Sequence, residues 1–471
     1  MSGLSTSNLT SGFIDLATYD ELEKYMYGGP DATAYFVRQT RKATWFTQVP
    51  VVLSRSSGTA NFGQDWSVQI SRAGDYLLYT WLRIGLPAIT VPTATPEGSY
   101  ALSWTPNVGH NLIRLAQITF NDLVAAQFDS YFLDFWSAFT TPAGKIVGYN
   151  NMIGNVPLLT SPTAETGVIP AYTVNVPLPF FYARDSGVAL PTAALPYNDM
   201  RIQFSFRTID QLLVAWQPDP TNQDPSGVPL GSWIPVIGNV FTTFQSLANQ
   251  VISLTRADVW ANYAIVSNDE RKRMACAPRD ILIEQVQTSP VSSFTTGTNS
   301  FDIRFSHAIK VLFFAARNKT VQSLWSNYTT AQPAYYATDT SLNPYLPPDF
   351  PVPPVPSVYA FDPIDTTSLI YENTQRLSNM GSDYFSLVEP YFAAPTIPTD
   401  IGLHVYSYSL DFIALDPLGS TNYGKLTNVS IVPTSSTAAN NATTQSYDFV
   451  TVAVNNNIIR VSGGALGFPV L

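Results

Sequence analysis

The chain has 471 residues, a length that predicts two domains of about 200 to 250 residues each. Hydrophobic residues make up 45% of it and aromatic residues 13%, while only 12% of the residues are charged. Low charge beside many aromatic side chains is typical of a protein whose surface is largely covered by partner subunits. The formal net charge of −10 argues against nucleic acid as a direct partner, because phosphate binding requires patches of Lys and Arg.

Export and membrane insertion are not predicted. Cys276 is the single cysteine, so an intrachain disulfide is excluded and a reducing compartment is expected. Residues 1–13 lack the basic start and apolar core of a signal peptide, and Ser2 stands where myristoylation requires glycine. The apolar runs fall short of the roughly 18 residues of a membrane helix. Without secretion, five N-x-S/T sequences are interpreted as chance features rather than glycosylation sites: Asn8, Asn318, Asn327, Asn428 and Asn441.

The N-terminal segment predicts one short helix after a polar arm. Residues 1–12 are small and polar, which is typical of a mobile arm. Thr18 and Glu21 have the character of a capping-box pair, and Gly28-Gly29-Pro30 ends the helix that follows them. The apolar face of this amphipathic helix can pack against its own domain or against a second protein.

From residue 46 the apolar pattern changes to that of short strands joined by Pro- and Gly-rich turns. Residues 76–84 are almost entirely apolar and predict a strand buried on both faces, and residues 128–136 predict an apolar helix. Residues 157–173 and 217–233 have the composition of loops. The other predicted strands of this half are 46–53, 67–71, 115–120, 176–182 and 200–206.

The segment 257–288 joins the two halves of the chain. Asn268 or Asp269 can cap a short helix over the charged residues 269–273, whose acidic first turn and basic second turn suit the helix dipole. Pro278 then ends this helix. The pattern indicates that the last strand of one β domain leads through a solvated helical turn into the first strand of another. The flanking predicted strands are 259–266 and 281–286.

The second half repeats the style of the first. Residues 303–316 echo residues 70–81, which fits two copies of one strand pattern. A Pro-rich insertion over 329–363 predicts rigid, extended chain. Two tandem antiparallel sandwiches of about eight strands each are the architecture that this pattern favours. The later predicted elements are strands 403–411, 426–433, 449–454 and 458–461 and a turn at Gly463-Gly464.

Candidates for catalysis are few. The sequence carries no G-x-S-x-G, phosphate-loop, H-E-x-x-H or C-x-x-C motif. Asp129 and Asp134 could be a glycosidase carboxylate pair, but helix caps or loop hydrogen bonds explain them more simply. Cys276 is interpreted as a structural thiol, and His307 as a structural histidine on a strand. We therefore predict no enzyme and no catalytic, cofactor-binding or metal-binding residue. The three histidines are His110, His307 and His404.

Long strings in both halves form the most specific pattern in the chain. They are VPLPFFYARDSGVALPTAALPYNDMRI at 176–202 and DERKRMACAPRDILIEQVQ at 269–287. Shorter ones are GFIDLAT at 12–18, GYNNMIGN at 148–155, GSTNYG at 419–424 and GGALGFPVL at 463–471. The long strings resemble the major capsid proteins of large nucleocytoplasmic DNA viruses, and the shorter ones resemble the iridovirus branch. The resemblance runs nearly end to end, and relatives are expected to vary in the loops 157–173, 217–250 and 329–366.

The resemblance implies an all-β double jelly roll, with two tandem eight-stranded rolls, short helices and long loops. It implies a homotrimer of pseudo-hexagonal outline, made in the host cytoplasm, that contacts neighbouring capsomers and minor capsid proteins in an icosahedral virion shell. The N-terminal segment would face the inner viral membrane. We expect residues 177–181 in the core, and we expect Trp260, Tyr263 and the charged residues 269–273 to maintain the continuity of the fold. The expected divisions are an arm and short helix at 1–29, a first roll at 30–268, a connector at 269–280 and a second roll at 281–471.

Two other functions stay open on the sequence. Aromatic-rich loops on a β-sandwich also bind sugars, so a carbohydrate-binding or glycan-cleaving protein is one alternative. An exposed aromatic platform with a carboxylate pair would favour it, and the missing signal peptide argues against it. The other alternative is a double jelly roll that acts only as a transient assembly scaffold.

Overall fold

The computed structural model describes residues 4–93, 100–219, 232–330, 335–336, 361–441 and 444–468. The chain divides into two compact units, Met1–Trp45 and Phe46–Leu471. Most of the predicted loop 217–233 and of the predicted insertion 329–363 lies outside the described residues.

The first unit contains two helices, α1 (Leu4–Ala17) and α2 (Glu21–Tyr27). The prediction of a polar arm over residues 1–12 is wrong from residue 4 onward, because α1 begins there. Leu9, Phe13 and Leu16 recur at helical spacing, and all three side chains are exposed. The helix is therefore amphipathic with an uncovered apolar face.

A capping box begins α2, but it is formed by a different pair from the predicted one. The Asp20 carboxylate accepts a hydrogen bond from the Glu21 N–H at 2.8 Å, and the Glu23 carboxylate accepts one from the Asp20 N–H at 3.3 Å. The hydroxyl of Thr18 instead donates to the Asp15 carbonyl at 2.7 Å. The predicted helix is confirmed, and its cap moves because a carboxylate caps better than a threonine hydroxyl.

The first sandwich spans residues 46–266. One of its sheets has the order β1-β15-β4-β11, and the other contains β3-β12-β7-β8. If those eight strands are counted from 1 to 8 along the chain, the two sheets read 1-8-3-6 and 2-7-4-5. The strands are β1 (Phe46–Val52), β2 (Ser54–Gly58), β3 (Asp65–Gln69), β4 (Tyr76–Leu86), β5 (Ile89–Thr90), β6 (Ala101–Trp104), β7 (Ile113–Phe120), β8 (Leu123–Phe128), β9 (Thr163–Ala164), β10 (Val168–Ile169), β11 (Tyr172–Leu178), β12 (Met200–Phe206), β13 (Leu213–Pro218), β14 (Ser232–Pro235) and β15 (Arg256–Val266).

The second sandwich spans residues 279–467. Its strands are β16 (Arg279–Thr288), β17 (Ser292–Phe294), β18 (Phe301–Asp302), β19 (Ala308–Asn318), β20 (Tyr335–Tyr336), β21 (Ile364–Tyr371), β22 (Thr374–Gly381), β23 (His404–Ser407), β24 (Thr421–Asn422), β25 (Val429–Ser435), β26 (Tyr447–Ser462) and β27 (Ala465–Gly467). Its sheets contain β16-β26-β19-β23 and β18-β25-β21-β22, which again read 1-8-3-6 and 2-7-4-5. Strand β20 pairs instead with β14 of the first sandwich.

The repeated strand order is that of a jelly roll, so the predicted double jelly roll is confirmed. The echo between residues 70–81 and 303–316 marks equivalent strands, since β4 and β19 are each third in their pattern. Strand β26 runs unbroken for 16 residues, where the sequence pattern predicted two strands.

Short helices lie in the connections between strands. Residues 382–393 are helical without a break, because a π-helical turn at Tyr384–Val388 runs directly into an α-helix. Short 3-10 turns lie at Ala143–Lys145, Phe181–Ala183, Ser186–Val188, Thr192–Ala194, Ile209–Gln211 and Tyr423–Lys425. The α-helices are α3 (Val108–Leu112), α4 (Ser130–Thr140), α5 (Ile146–Ile153), α6 (Pro157–Thr160), α7 (Val240–Thr243), α8 (Gln245–Ala248), α9 (Asn268–Cys276), α10 (Glu389–Ala393) and α11 (Thr437–Asn441).

Helix α9 confirms the predicted charged helix between the two sandwiches. Asp269 and Glu270 lie in its first turn and Arg273 in its last turn. Its N-cap is Ser267 rather than Asn268 or Asp269, and the Ser267 side chain makes no capping hydrogen bond. The dipole rather than a side-chain cap is thus the local support for this helix.

Three predicted strands are wrong in part. The strand predicted over 403–411 ends at Ser407. The strand predicted over 176–182 ends at Leu178, because Pro179 has no N–H to donate to the sheet. The chain then makes a tight turn, in which the Phe180 N–H donates to the Leu178 carbonyl at 2.9 Å. Strand β4 is not buried on both faces, since its buried and accessible residues largely alternate and Tyr79 is 48% exposed.

Candidate functional site

Two of the three histidines are buried and hydrogen-bonded at both ring nitrogens. His110 has its Nδ1 2.8 Å from Asp134 Oδ1 and its Nε2 2.6 Å from the Tyr149 hydroxyl. His404 has its Nε2 2.7 Å from Asp362 Oδ2 and its Nδ1 3.3 Å from a backbone carbonyl. Neither ring has a nitrogen left over for a substrate or a metal ion.

The third histidine and the cysteine lie at element ends. His307 was predicted on a strand, but it precedes β19 with a φ of +63°, in the left-handed region. Its carbonyl accepts the Tyr423 N–H at 3.1 Å. Cys276 is exposed at the last residue of α9. Among the described residues, no group of three or more His, Cys, Asp and Glu side chains is arranged to hold a metal ion. None of the described helices is long and apolar enough to cross a membrane.

The two aspartates considered as a carboxylate pair have separate structural tasks. Asp129 is the N-cap of α4, where its Oδ1 accepts the Phe132 N–H at 2.9 Å. Asp134 is buried, and its Oδ2 accepts hydrogen bonds from Ser326 Oγ at 2.8 Å and from the Tyr328 hydroxyl at 3.1 Å. Both donors belong to the second half of the chain. The helix-cap interpretation of Asp129 is confirmed, and Asp134 is a link between the two halves.

Helix α4 of the first half packs on the outer face of the β16-β26-β19-β23 sheet, a contact that we call the seam. Phe135 and Phe139 stack on Phe313 with ring centroids 5.7 Å and 5.6 Å apart, and Trp136 meets the same ring edge-on at 6.5 Å. Phe313 is completely buried. Burying aromatic rings of this size stabilises a contact strongly, so the seam is the apolar joint between the sandwiches.

Strand β19 is consequently buried on both faces. Val311, Phe313 and Ala315 belong to the apolar cluster that contains the first sandwich and α4. The alternate residues Leu312 and Phe314 belong to the inner core of the second sandwich. This division follows from the two-residue period of a strand, which sends successive side chains to opposite faces.

A buried ion cluster crosses the same joint. Glu284 of β16 lies 2.5 Å from Lys310 Nζ of β19 and 2.6 Å from an Arg184 nitrogen of the first half. Glu284 and Lys310 are 7% and 1% exposed. Burial lowers the pKa of Arg184, and the facing Glu284 carboxylate opposes that shift. The Arg184 guanidinium also lies 4.0 Å from the centre of the Trp136 ring, so it joins the ion cluster to the aromatic part of the seam.

A second cationic arrangement lies around Trp325. Arg207 and Arg317 each lie over this ring, at 3.8 Å and 4.0 Å from its centroid. Burial lowers the pKa of Arg207, which donates from one guanidinium nitrogen to the Asn111 carbonyl at 2.6 Å. Arg207 comes from the first half, whereas Trp325 and Arg317 come from the second. This cluster therefore adds cation–π contacts to the joint.

Sequence reasoning missed these ionic residues. Lys310 stands in the apolar strand AIKVLFFAARN, and Glu284 stands in ILIEQV. A lone charge inside a strand that is apolar on both sides of it is a signal for a buried ion pair, since charged residues are almost never fully buried unless paired. What the strands alone do not reveal is the third member, Arg184, which is distant in the sequence.

An ion pair joins the connector to the first sandwich. Arg271 of α9 donates to both carboxylate oxygens of Asp75, at 2.7 Å and 2.9 Å. The Val266 N–H also donates to this carboxylate at 2.9 Å. Burial of Asp75 tends to raise its pKa, but these hydrogen bonds and the Arg271 charge outweigh burial and hold the pKa below its usual value.

The matching sheet of the first sandwich, β1-β15-β4-β11, presents aromatic side chains on its outer face. Across three neighbouring strands, Trp260 pairs with Val52 on one side and with Trp81 on the other. The two indole rings stack with their centroids 5.9 Å apart. The ring of Tyr79 lies 6.0 Å from that of Trp81. We call Val52, Tyr79, Trp81 and Trp260 the aromatic face. Tyr79 is 48% exposed and Val52 is 41% exposed. A cleft of about 680 Å³, lined in part by Tyr79, Trp81 and Pro179, adjoins it.

The prediction that residues 177–181 lie in the core is confirmed in part, since Pro177 and Pro179 are only half-buried. Leu178, Phe180 and Phe181 are buried, as expected for the segment 177–181. Tyr263 is buried, and its hydroxyl donates to the Ser71 carbonyl at 2.6 Å, so β15 is held to the chain before β4.

The fold defines the class of protein first. Two jelly rolls in one chain, joined by a buried seam, match the PBCV-1 virus capsid with a TM-score of 0.70 at 20% identity, over 93% of this chain and all of that one. The Faustovirus major capsid protein matches with a TM-score of 0.68 at 11% identity, over 94% of each chain. At these identities the likeness shows the double jelly-roll fold.

Sequence comparison then shows the family. Residues 34–265 match the model of the major capsid protein N-terminus, and residues 270–467 match the model of the large eukaryotic DNA virus major capsid protein. The major capsid protein of Costelytra zealandica iridescent virus is 58% identical over 99% of this chain and all of its own length. Those of Invertebrate iridescent virus 6 and Lymphocystis disease virus 1 are 55% and 45% identical, over 99% and 100% of this chain and all of their own lengths. The chain belongs to the family of large eukaryotic DNA virus major capsid proteins, in its iridovirus branch.

Proposed function

We propose that this chain is the shell-forming subunit of an iridovirus capsid, acting by self-assembly rather than by catalysis. Three copies would form a capsomer, and the capsomers would tile an icosahedral shell around a double-stranded DNA genome. The observation that carries the proposal is the duplicated 1-8-3-6 and 2-7-4-5 topology within one chain. Two like rolls per chain give six per trimer, so a threefold assembly presents nearly sixfold edges to its neighbours.

The division of the chain supports the same assembly. We propose that residues 30–268 and 281–471 are the two rolls, with 269–280 as their connector. What supports this division is that the eight-strand pattern of the first roll ends at Val266 and that of the second begins at Arg279, near the end of the proposed connector. The seam would hold the two rolls of one chain at a constant angle, which a lattice of identical capsomers requires.

The N-terminal residues 1–29 are proposed to face the inside of the shell. Leu9, Phe13 and Leu16 of α1 are exposed, as are Leu22 and Met26 of α2. Such uncovered apolar faces fit minor capsid proteins or the inner viral membrane. The acidic balance of the chain, with a net charge of −10, argues against direct contact with the genome. Assembly in the host cytoplasm is part of the proposal.

The test is the solution mass of the purified full chain, measured by light scattering and followed by imaging of the same peak. A mass of about 155 kDa, three times 51.6 kDa, with hexagonal outlines is the expected result. A stable species of one subunit would contradict the proposal. A second measurement distinguishes a shell subunit from a transient scaffold. High abundance of the protein in purified virions is expected for a shell subunit, because a scaffold leaves before the virion matures.

A further inference from the structure

The connection between the fifth and sixth strands of each roll begins with a helix in the same place. In the first roll, β8 ends at Phe128 and α4 begins at Ser130. In the second roll, β22 ends at Gly381 and the helical segment 382–393 begins directly after it. The two helices have nearly equal lengths. They are therefore equivalent elements of the duplicated fold.

The apolar side chains of the two helices stand at matching positions. Counted from Ser130, the sixth, seventh and tenth residues of α4 are Phe135, Trp136 and Phe139, the three rings of the seam. Counted from Ser382, the sixth, seventh, tenth and eleventh residues are Leu387, Val388, Tyr391 and Phe392. The burial of the second set differs completely, since these four side chains are 53%, 44%, 69% and 79% exposed.

The helix of the second roll is nevertheless firmly seated on its own roll. Phe385 is 1% exposed and meets the rings of Phe314 at 5.2 Å and Tyr406 at 6.2 Å. The Glu389 carboxylate accepts the Ser407 N–H at 3.1 Å. The outward face with Leu387 and Tyr391 is thus presented by a fixed helix.

The sheet surfaces on which these two helices could pack are also equivalent in the two rolls. Helix α4 is seated on the outer face of the 1-8-3-6 sheet of the second roll, at Phe313. The 1-8-3-6 sheet of the first roll carries the aromatic face at the equivalent place, with Tyr79 half-exposed beside a cleft. The contact of α4 with the sheet of the second roll is complete within the chain. The equivalent helix 382–393 and the equivalent sheet surface, the aromatic face, both have exposed apolar side chains.

We propose that the helix 382–393 of one copy docks on the aromatic face of a second copy, placing Leu387, Val388, Tyr391 and Phe392 against Val52, Tyr79, Trp81 and Trp260. The occupant is a second copy of this chain because the seam shows the same helix on the same type of sheet. The contact is head-to-tail, so each copy offers one helix and one face. The inference rests on the proposed trimer, in which three such contacts would close a ring.

The first test places a charge in either half of the contact. Tyr391→Asp on the helix and Tyr79→Asp on the aromatic face change exposed side chains, so both variants should fold as the wild-type chain does, which circular dichroism checks. Each is expected to shift the solution mass from about 155 kDa to about 52 kDa, because a buried charge without a partner disfavours the contact. Leu123→Asp, at a residue 47% exposed on the other sheet of the first roll, is the matched control and should leave the mass unchanged.

The second test identifies the two surfaces in contact. Cys276→Ser removes the only cysteine, and Tyr79→Cys and Phe392→Cys then supply one thiol on each surface for a flexible bismaleimide. The chain with both thiols should give a covalent three-subunit band. A mixture of the two single-thiol chains should give a two-subunit band, which either chain alone should not.

The outcomes separate this inference from the proposed function. If the wild-type chain is a trimer but the Asp variants remain trimeric, or the chain with both thiols gives no intersubunit band, the docking is wrong and the trimer stands. If the wild-type chain has the mass of one subunit, the proposed trimer is wrong and the docking falls with it.

Discussion

Strands β4 and β19 occupy the same place in the two jelly rolls, yet their surroundings differ. Every residue of β19 after Ala308 is buried, whereas accessible residues recur along much of β4 and Tyr79 is 48% exposed. The inner faces are alike, since both strands line the core of their own sandwich. The outer faces differ because α4 covers β19, while β4 carries the aromatic face. Duplication of a fold therefore does not duplicate its burial, which depends on what packs outside each sheet.

The comparison also shows how the joint within the chain is built. The covered sheet carries Glu284 and Lys310 beside its aromatic contact, so the seam has an ionic part as well as an apolar part. On the aromatic face, Trp81 and Trp260 stack on each other, and the neighbouring Tyr79 and Val52 reach solvent. Burying a charged group is costly unless it is paired, and Glu284 and Lys310 pair with each other.

The largest loss of stability is expected from a charge placed in the core of the first roll. Phe180→Asp would place a charge at a side chain 1% exposed, against the rings of Phe128 at 4.9 Å and Tyr182 at 5.8 Å. The cost should exceed about 4 kcal/mol, and soluble trimer should be lost, as measured by soluble yield and light scattering. Phe180→Leu is the control and should assemble. Recovery of normal trimer from Phe180→Asp would count against this placement.

Removing the ring at the centre of the seam should have the next largest effect. Phe313→Ala deletes the ring on which Phe135, Trp136 and Phe139 pack, and should lower the free energy of unfolding by about 3 to 5 kcal/mol. Urea unfolding measures the change. Leu123→Ala, on an exposed side chain, should stay within about 0.5 kcal/mol of the wild type. Equal effects from both variants would mean that the seam does not carry the joint.

The buried ions offer a test of similar size. Glu284→Gln leaves Lys310 and Arg184 without their counter-charge and should cost about 3 to 5 kcal/mol of stability. The same strand provides the control, because Asp280 forms an exposed ion pair with Arg460, and Asp280→Asn should leave the unfolding midpoint in urea unchanged. Matching midpoints for the two variants would show that the Glu284 cluster is solvated.

The smallest effect is expected at the connector, as a dependence on pH. The folded pKa of Asp75 lies below its unfolded value, so its contribution to stability is present above the unfolded pKa of about 3.9 and is lost as the pH falls through the folded pKa. Asp75→Asn should therefore flatten this part of the acid unfolding curve, measured by urea midpoints at a series of pH values. An unchanged acid slope would show that the Arg271 pair does not couple to folding.

The sequence by itself determined most of the local structure. The strand period located β12, β15 and β16, and the charge order in residues 269–273 located α9. The echo between the two halves correctly paired β4 with β19. These features depend on neighbours along the chain, so a pattern of residues is enough to specify them.

Only the tertiary structure decided which faces are covered. The sequence pattern predicted that β4 is buried on both faces, but the strand buried on both faces is β19. The outer face of β19 is covered by α4, which is distant in the sequence. The partners of Asp134 and Glu284 are likewise distant in sequence, so neither the hydrogen-bonded link nor the ion cluster could be found from residue spacing. The long sequence motifs were enough to indicate the capsid protein family. The contacts that join the two rolls of the chain could be seen only in the tertiary structure, because they depend on how elements distant in sequence meet in space.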